Sequence, residues 1–184
     1  MLALDTTMDL HNETAVNVAA LLKGAVGTTR LYALRLDALA LDTELTATDV
    51  SGDVKLTRLS DAVMASIEVR GDTVLQCLRC LQHYEQAFSV SFSEEFRIAH
   101  DVRTGYGIEA SPDDERFTIS PTHELDFGEA LRQEIILALP MRPTCGDACP
   151  GPDVTEVGPT DEEPADARFA ALAKLLDAQA GDEE

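Results

Sequence analysis

The sequence predicts an α+β fold, an antiparallel β-sheet built of hairpins followed by a few helices. Three observations carry that expectation. Between Leu41 and Ala99, β-rich runs alternate with short clusters of Gly, Asp and Ser. Residues 84–99 alternate large apolar with small polar side chains at period two. Residues 126–139 instead repeat apolar side chains at helical spacing, and Pro140 closes the run. The chain has 184 residues, 45% of them apolar and 26% charged, which suits one domain with a genuine core. With no Trp, 6 Phe and 3 Tyr, that core is built mostly from Leu, Ala, Val and Ile.

In chain order, Asn17 to Leu22 reads as a short helix with Asn17 as its N-cap and Gly24 at its end. An extended stretch follows Gly27, with Tyr32, Leu34 and Leu36 on one face and Arg30 at its edge. Leu41 to Val50 and Asp53 to Ser60 read as two strands joined around Ser51-Gly52-Asp53. Val63 to Arg70 and Thr73 to Cys77 read as another pair, with Gly71-Asp72 as a type II′ turn. Tyr84 to Ala99 is the clearest strand, with Phe88, Val90 and Phe92 on one face. Asp101 to Pro121 is polar and reads as a long surface loop, with a short strand around Phe117-Thr-Ile.

Asp126 to Leu139 is expected to be a helix. Asp126 and Glu129 form a capping-box pattern, and Leu131, Ile135, Ala138 and Leu139 share a face. These elements make residues 1–150 one domain. Residues 151–165 are an acidic Pro/Gly linker. Residues 166–184 then form an amphipathic helix, with Phe169, Leu172, Ala173 and Leu176 as a stripe, and a fraying tail. The chain shows no internal repeat.

Charge narrows the function classes. The chain carries 34 Asp and Glu against 14 Lys and Arg, a net charge of −20. The segment from Gly146 onward holds −9 of that total. Such a field repels phosphate backbones, so direct nucleic-acid binding is disfavoured and basic partners are admitted. Acidity also serves plain solubility. No apolar run reaches the roughly 18–20 residues of a membrane helix. The opening residues Met1 to Asp9 lack a basic region ahead of an apolar stretch. A soluble, cytoplasmic protein with no membrane partner is therefore expected.

In that compartment, paired cysteines point to metal binding or redox chemistry more than to disulfides. Cys77-Leu-Arg-Cys80 is a C-x-x-C, and Cys145-Gly-Asp-Ala-Cys149 is a C-x-x-x-C. Either gap lets both sulfurs of a tight turn face one ion, and four thiolates complete a tetrahedral structural zinc site. The 64 intervening residues exceed those of a compact zinc ribbon, so the ion would staple the sheet to the helix. Two unconnected pairs of ordinary thiols, or a redox pair, are the other readings. A redox C-x-x-C opens a helix, whereas strand alternation follows Cys80. His83 is a spare ligand or an exposed turn residue. Arg79, at the tip of the first pair, is expected to be exposed.

Catalytic motifs are missing. The sequence has no Gly-rich phosphate loop, G-x-S-x-G elbow or H-E-x-x-H. Glu94 and Glu95 are adjacent on a strand and so face opposite ways, which argues for solvated carboxylates over an acid–base pair. His100-Asp101 reads as a solvated loop pair. No enzyme is expected.

Val74-Leu-Gln-Cys77-Leu-Arg-Cys80-Leu81, followed by a strand ending in Glu94-Glu95-Phe96, resembles the YceD family of large ribosomal RNA subunit accumulation proteins. The run from Glu124 to Pro140, with Pro143 and Cys145 after it, is similar to that family's second signature. Asn17 to Leu22 and Ala167-Arg-Phe-Ala-Ala-Leu-Ala-Lys-Leu also resemble its ends. Many members continue with Gly-Leu-Cys and a further Cys-Gly, where this chain runs Cys149-Pro-Gly-Pro-Asp without another cysteine.

The resemblance implies a non-enzymatic role in large-subunit ribosomal RNA accumulation or assembly. The charge adds that it would act through ribosomal proteins or assembly factors of the large subunit, shielding a basic partner, and would not grip bare RNA. Two other readings stand beside it. One is a zinc-stabilised protein-interaction module unrelated to ribosomes, using the terminal helix. The other is a thiol redox enzyme.

Overall fold

The computed structural model describes residues 7–109 and 114–152. Its scaffold is a meander of four long antiparallel strands. They are β3 (Thr29–Ala40), β4 (Thr46–Arg58), β5 (Ala62–Gln76) and β6 (His83–Ile98). Two short strands flank the meander, β1 (Met8–His11) parallel to β3 and β7 (Phe117–Ile119) parallel to β6. The six-stranded sheet therefore runs β1-β3-β4-β5-β6-β7 and is mixed, not purely antiparallel. A second sheet pairs β2 (Ala15–Asn17) with β8 (Glu124–Asp126) antiparallel. The helices are α1 (Ala19–Leu22) and α2 (Gly128–Ala138). The described residues up to Cys149 belong to one compact unit.

The expected face of Tyr32, Leu34 and Leu36 is buried, as are Phe88 and Val90 on β6, while Phe92 is half-buried. Two expected turns do not exist. Ser51-Gly52-Asp53 lies inside β4, and Gly71-Asp72 lies inside β5. Neither glycine takes a positive φ. Both are instead points of close backbone approach, where a side chain has no room. A Cβ on Gly52 would sit 1.9 Å from the Glu68 carbonyl oxygen. One on Gly71 would sit 2.9 Å from both the Phe88 ring and the Thr48 carbonyl oxygen.

The irregularity in β4 falls earlier. The β4–β5 register shifts between Thr48 and Ser51, and Asp49 has φ of 52°. The extra residue resets the side-chain phase, so Ala47 and Val50 are both buried although three positions apart. The loops that do join the meander are Leu41–Leu45, Leu59–Asp61 and the cysteine loop at 77–82.

The helices start later than expected. The N-cap of α1 is Val18. Asn17 stands one position before it, in β2, and its Oδ1 accepts from the Ala19 amide. The N-cap of α2 is Phe127, and no capping box forms. Asp126 Oδ1 accepts from the Gly128 amide and the Thr14 hydroxyl. Glu129 holds Arg132 and Gln133 within the helix. Of the expected face, Leu131 and Ile135 are buried and Leu139 packs on the core, but Ala138 is exposed. Leu131 and Ile135 join Phe96, Ile67 and Leu56 in one hydrophobic core between α2 and the sheet. Arg132 donates to the Leu41 carbonyl and ties α2 to the β3–β4 loop.

Residues 99–109 form a loop with one bridge between His100 and Gly107. Asp101 Oδ1 caps that loop by accepting from the amides of Arg103 and Thr104, and His100 Nδ1 is buried. The pair thus sits in a structured corner while both residues stay half-exposed. The expected linker, apart from Gly151 and Pro152, and the expected terminal helix lie outside the described residues.

Candidate metal centre

The cysteine loop is the hairpin turn between β5 and β6. The Cys77 amide donates to the Gln82 carbonyl, and the Leu81 amide returns to the Cys77 carbonyl with Leu81 at φ of 61°. The loop thus folds back on itself and puts both thiols on its inner side. The second pair follows α2. Pro140 stops the helix, and the chain then runs beside the hairpin loop, where the Leu78 amide donates to the Pro143 carbonyl at 2.9 Å. Gly146, at φ of 97°, turns the chain so that the Cys149 amide reaches back to its carbonyl.

These local choices bring all four sulfurs within 4.8 Å of one another. The Cys77 and Cys149 sulfurs are 3.7 Å apart, as are those of Cys80 and Cys145. An ion about 2.3 Å from each sulfur, the zinc–thiolate length, gives a tetrahedron with edges of about 3.8 Å. The two closest cross-pair distances match that edge. A metal ion can therefore be held with little rearrangement, and the donor set is the one a structural thiolate site uses. His83 stands outside the cluster and is exposed. Arg79 is exposed at the loop tip.

As four thiols, the cluster divides its charge unevenly. The Cys80 amide, followed by those of Arg79 and Cys145, holds Cys77 down at about 6 against burial. The Arg79 amide lies 3.4 Å from the Cys77 sulfur. Cys145 is pushed up to about 12, first by the Cys149 sulfur and then by burial. At Cys80 the Gln82 amide favours the thiolate, but burial and the neighbouring sulfurs outweigh it and raise the thiol. Cys77 gives up its proton most readily, whereas Cys80 and Cys145 hold theirs more tightly until a cation compensates the added charge.

The remaining sequence candidates sit elsewhere. Glu95 is 3.4 Å from Arg116, which also contacts Asp114 at 2.8 Å and Asp61 at 3.1 Å. It serves an ion-pair cluster, while Glu94 lies on the other face of β6. No helix opens at Cys77, so the helix-dipole activation of a redox C-x-x-C is missing there. One residue escaped the sequence reading. Tyr84 is the second residue of β6, opposite Leu75, and burial, followed by the nearby Cys77 and Cys145 sulfurs, raises its hydroxyl. Its one signal in the sequence was strand pairing across the cysteine loop.

Among the described residues, no helix is long and apolar enough to cross a membrane. No curated protein and no solved structure gives a match. A family profile does match. It is the one described as large ribosomal RNA subunit accumulation protein YceD, and it covers residues 65–176, more than half of the chain. Both cysteine pairs and α2 lie inside that span, whereas Asn17–Leu22 lies outside it.

Proposed function

Because the chain belongs to the YceD family of large ribosomal RNA subunit accumulation proteins, we propose that it is a non-enzymatic factor in large-subunit assembly. The family match across both cysteine pairs carries this reading. In it, the four cysteines hold one structural zinc ion, which fixes the β5–β6 loop against the segment after α2. The direct partner is a basic ribosomal protein or assembly factor in the cytoplasm. The net charge of −20 supports a cationic protein over bare RNA. Leu78 and Leu81 on the cysteine loop, with Leu137 and Met141 at the end of α2, are exposed and offer apolar contacts to such a partner.

The test is the ratio of large- to small-subunit ribosomal RNA in cells depleted of the protein, with a complemented control. A selective fall in the large-subunit RNA, restored by complementation, is the expected result. An unchanged ratio under verified depletion overturns the proposal.

A further inference from the structure

The Tyr84 hydroxyl oxygen is buried and has no hydrogen-bond partner among the described residues. A buried phenol normally finds a partner, and an orphaned one destabilises the fold. The ring stands at the end of the β5–β6 ladder. Leu75 and Tyr84 pair there, Gln76 and His83 pair next, and Cys77 begins the loop. The hydroxyl is near enough to Cys77 and Cys145 for their charge to act on it. The Thr144 amide also faces the oxygen, short of hydrogen-bond geometry. That amide is a donor, so the phenol's own proton is left without an acceptor.

The sulfurs show the complementary gap. Cys77 accepts the Arg79 amide, and Cys80 is served by the Gln82 amide. Cys145 and Cys149 accept no backbone amide among the described hydrogen bonds and meet only other sulfurs, and of the two it is Cys145 whose charge reaches the Tyr84 hydroxyl. Four thiolates on a divalent ion leave two negative charges, which donors around the sulfurs must stabilise.

We propose that Tyr84 is a positioning residue of the metal centre, its O–H donating a hydrogen bond to the Cys145 thiolate when the ion is bound. The bond gives the phenol its missing acceptor and Cys145 its missing donor. It also anchors the second cysteine pair to the start of β6, so the sheet helps set the geometry of the site. This rests on the metal reading of the four cysteines, and the experiment separates the two.

The full chain and its Tyr84→Phe variant are compared, with Tyr106→Phe, 78% exposed, as control. Zinc affinity is read by competition with a chromophoric chelator. The sulfur-to-cobalt charge-transfer band is read on the cobalt(II)-loaded proteins, after circular dichroism confirms that they are folded. The intact chain and the Tyr106 variant are expected to bind one ion. Tyr84→Phe should bind zinc about 10–100-fold more weakly. Its band should move to lower energy, because a lost donor raises the sulfur lone pairs. Metal bound by both proteins with the same band overturns the role of Tyr84 but leaves the metal site standing. Weaker binding with an unmoved band is a packing effect and overturns it too. An intact chain that binds neither ion overturns both readings.

Discussion

Asp114 grips Arg116 through both carboxylate oxygens, at 2.9 and 2.8 Å. Arg97 stands 3.6 Å away on the other side, and the Asp114 side chain is only 10% exposed. Arg116, ahead of burial and Arg97, determines the shift and holds the Asp114 carboxyl at about 2, below its ordinary 3.8. A depressed carboxylate stabilises the fold above its unfolded pKa, and that contribution disappears as pH falls through the folded value. For Asp114 the window runs from about pH 4 down to about 2. Glu129, held at about 2 by Arg132, contributes in the same window. The difference between wild type and Arg116→Met reports Asp114 together with Asp61, whose carboxyl Arg116 also lowers. Urea midpoints measured from pH 5 to 2 should converge as the pH falls, because wild type loses an advantage that the variant never had. A gap that stays constant would show that the pair adds no pH-dependent stability.

At the scale of elements, the two interior glycines distinguish a turn from a close contact. Alanine fits a loop position of ordinary φ at little cost, but here the neighbours are backbone atoms that cannot swing away, joined at Gly71 by the Phe88 ring. Gly71→Ala should cost about 1–3 kcal/mol, the usual penalty for an overfilled site, and Gly52→Ala more, since its Cβ meets the tighter contact. Urea unfolding should show the lowered midpoint with an unchanged slope. The same positions mark the limit of what the sequence revealed. Ser51-Gly52-Asp53 has the composition of a turn, and only its partners on β5, Glu68 to Arg70, show that the strand continues. Strands β5 and β6, of 15 and 16 residues, are long for a globular sheet, so expected strand lengths favoured breaking β5 at Gly71-Asp72. Strand β6 was legible because its alternation is unbroken, and the core of α2 because Leu131 and Ile135 keep their spacing. The cysteines were legible as two pairs from their gaps, and as one set only with the strand and the helix that precede them. The donor at Tyr84 was not, since its value depends on a sulfur 61 positions away, brought near only by the return of the chain after α2.

The whole molecule is dominated by one sign of charge, −20 over 184 residues. Among the described residues the closest ion pairs gather around Arg116 and Arg132, where partial burial limits screening, while the excess of like charge over the chain repels itself. Raising sodium chloride from about 20 to 150 mM shortens the Debye length to about 8 Å and weakens that repulsion more than the short contacts. The melting temperature should therefore rise by about 2–4 °C, equivalent to ~1 kcal/mol in a chain of this size. Scanning calorimetry at both salt concentrations checks it. A fall would mean that the ion pairs outweigh the net repulsion.

That the first cysteine pair is a hairpin loop also orders events in time. Cys77 and Cys80 are complete once β5 and β6 can pair, a local event of about 1–10 μs. Cys145 follows Cys80 by 65 positions. At about 5–20 residues per second during synthesis, the second pair arrives roughly 3–13 s later. For the part of that interval after β6 has been made, a nascent chain presents a two-sulfur clamp. Only when α2 has been made and Pro140 has turned the chain back does the clamp become a cage, so an ion that needs all four sulfurs can be captured only with α2 in place.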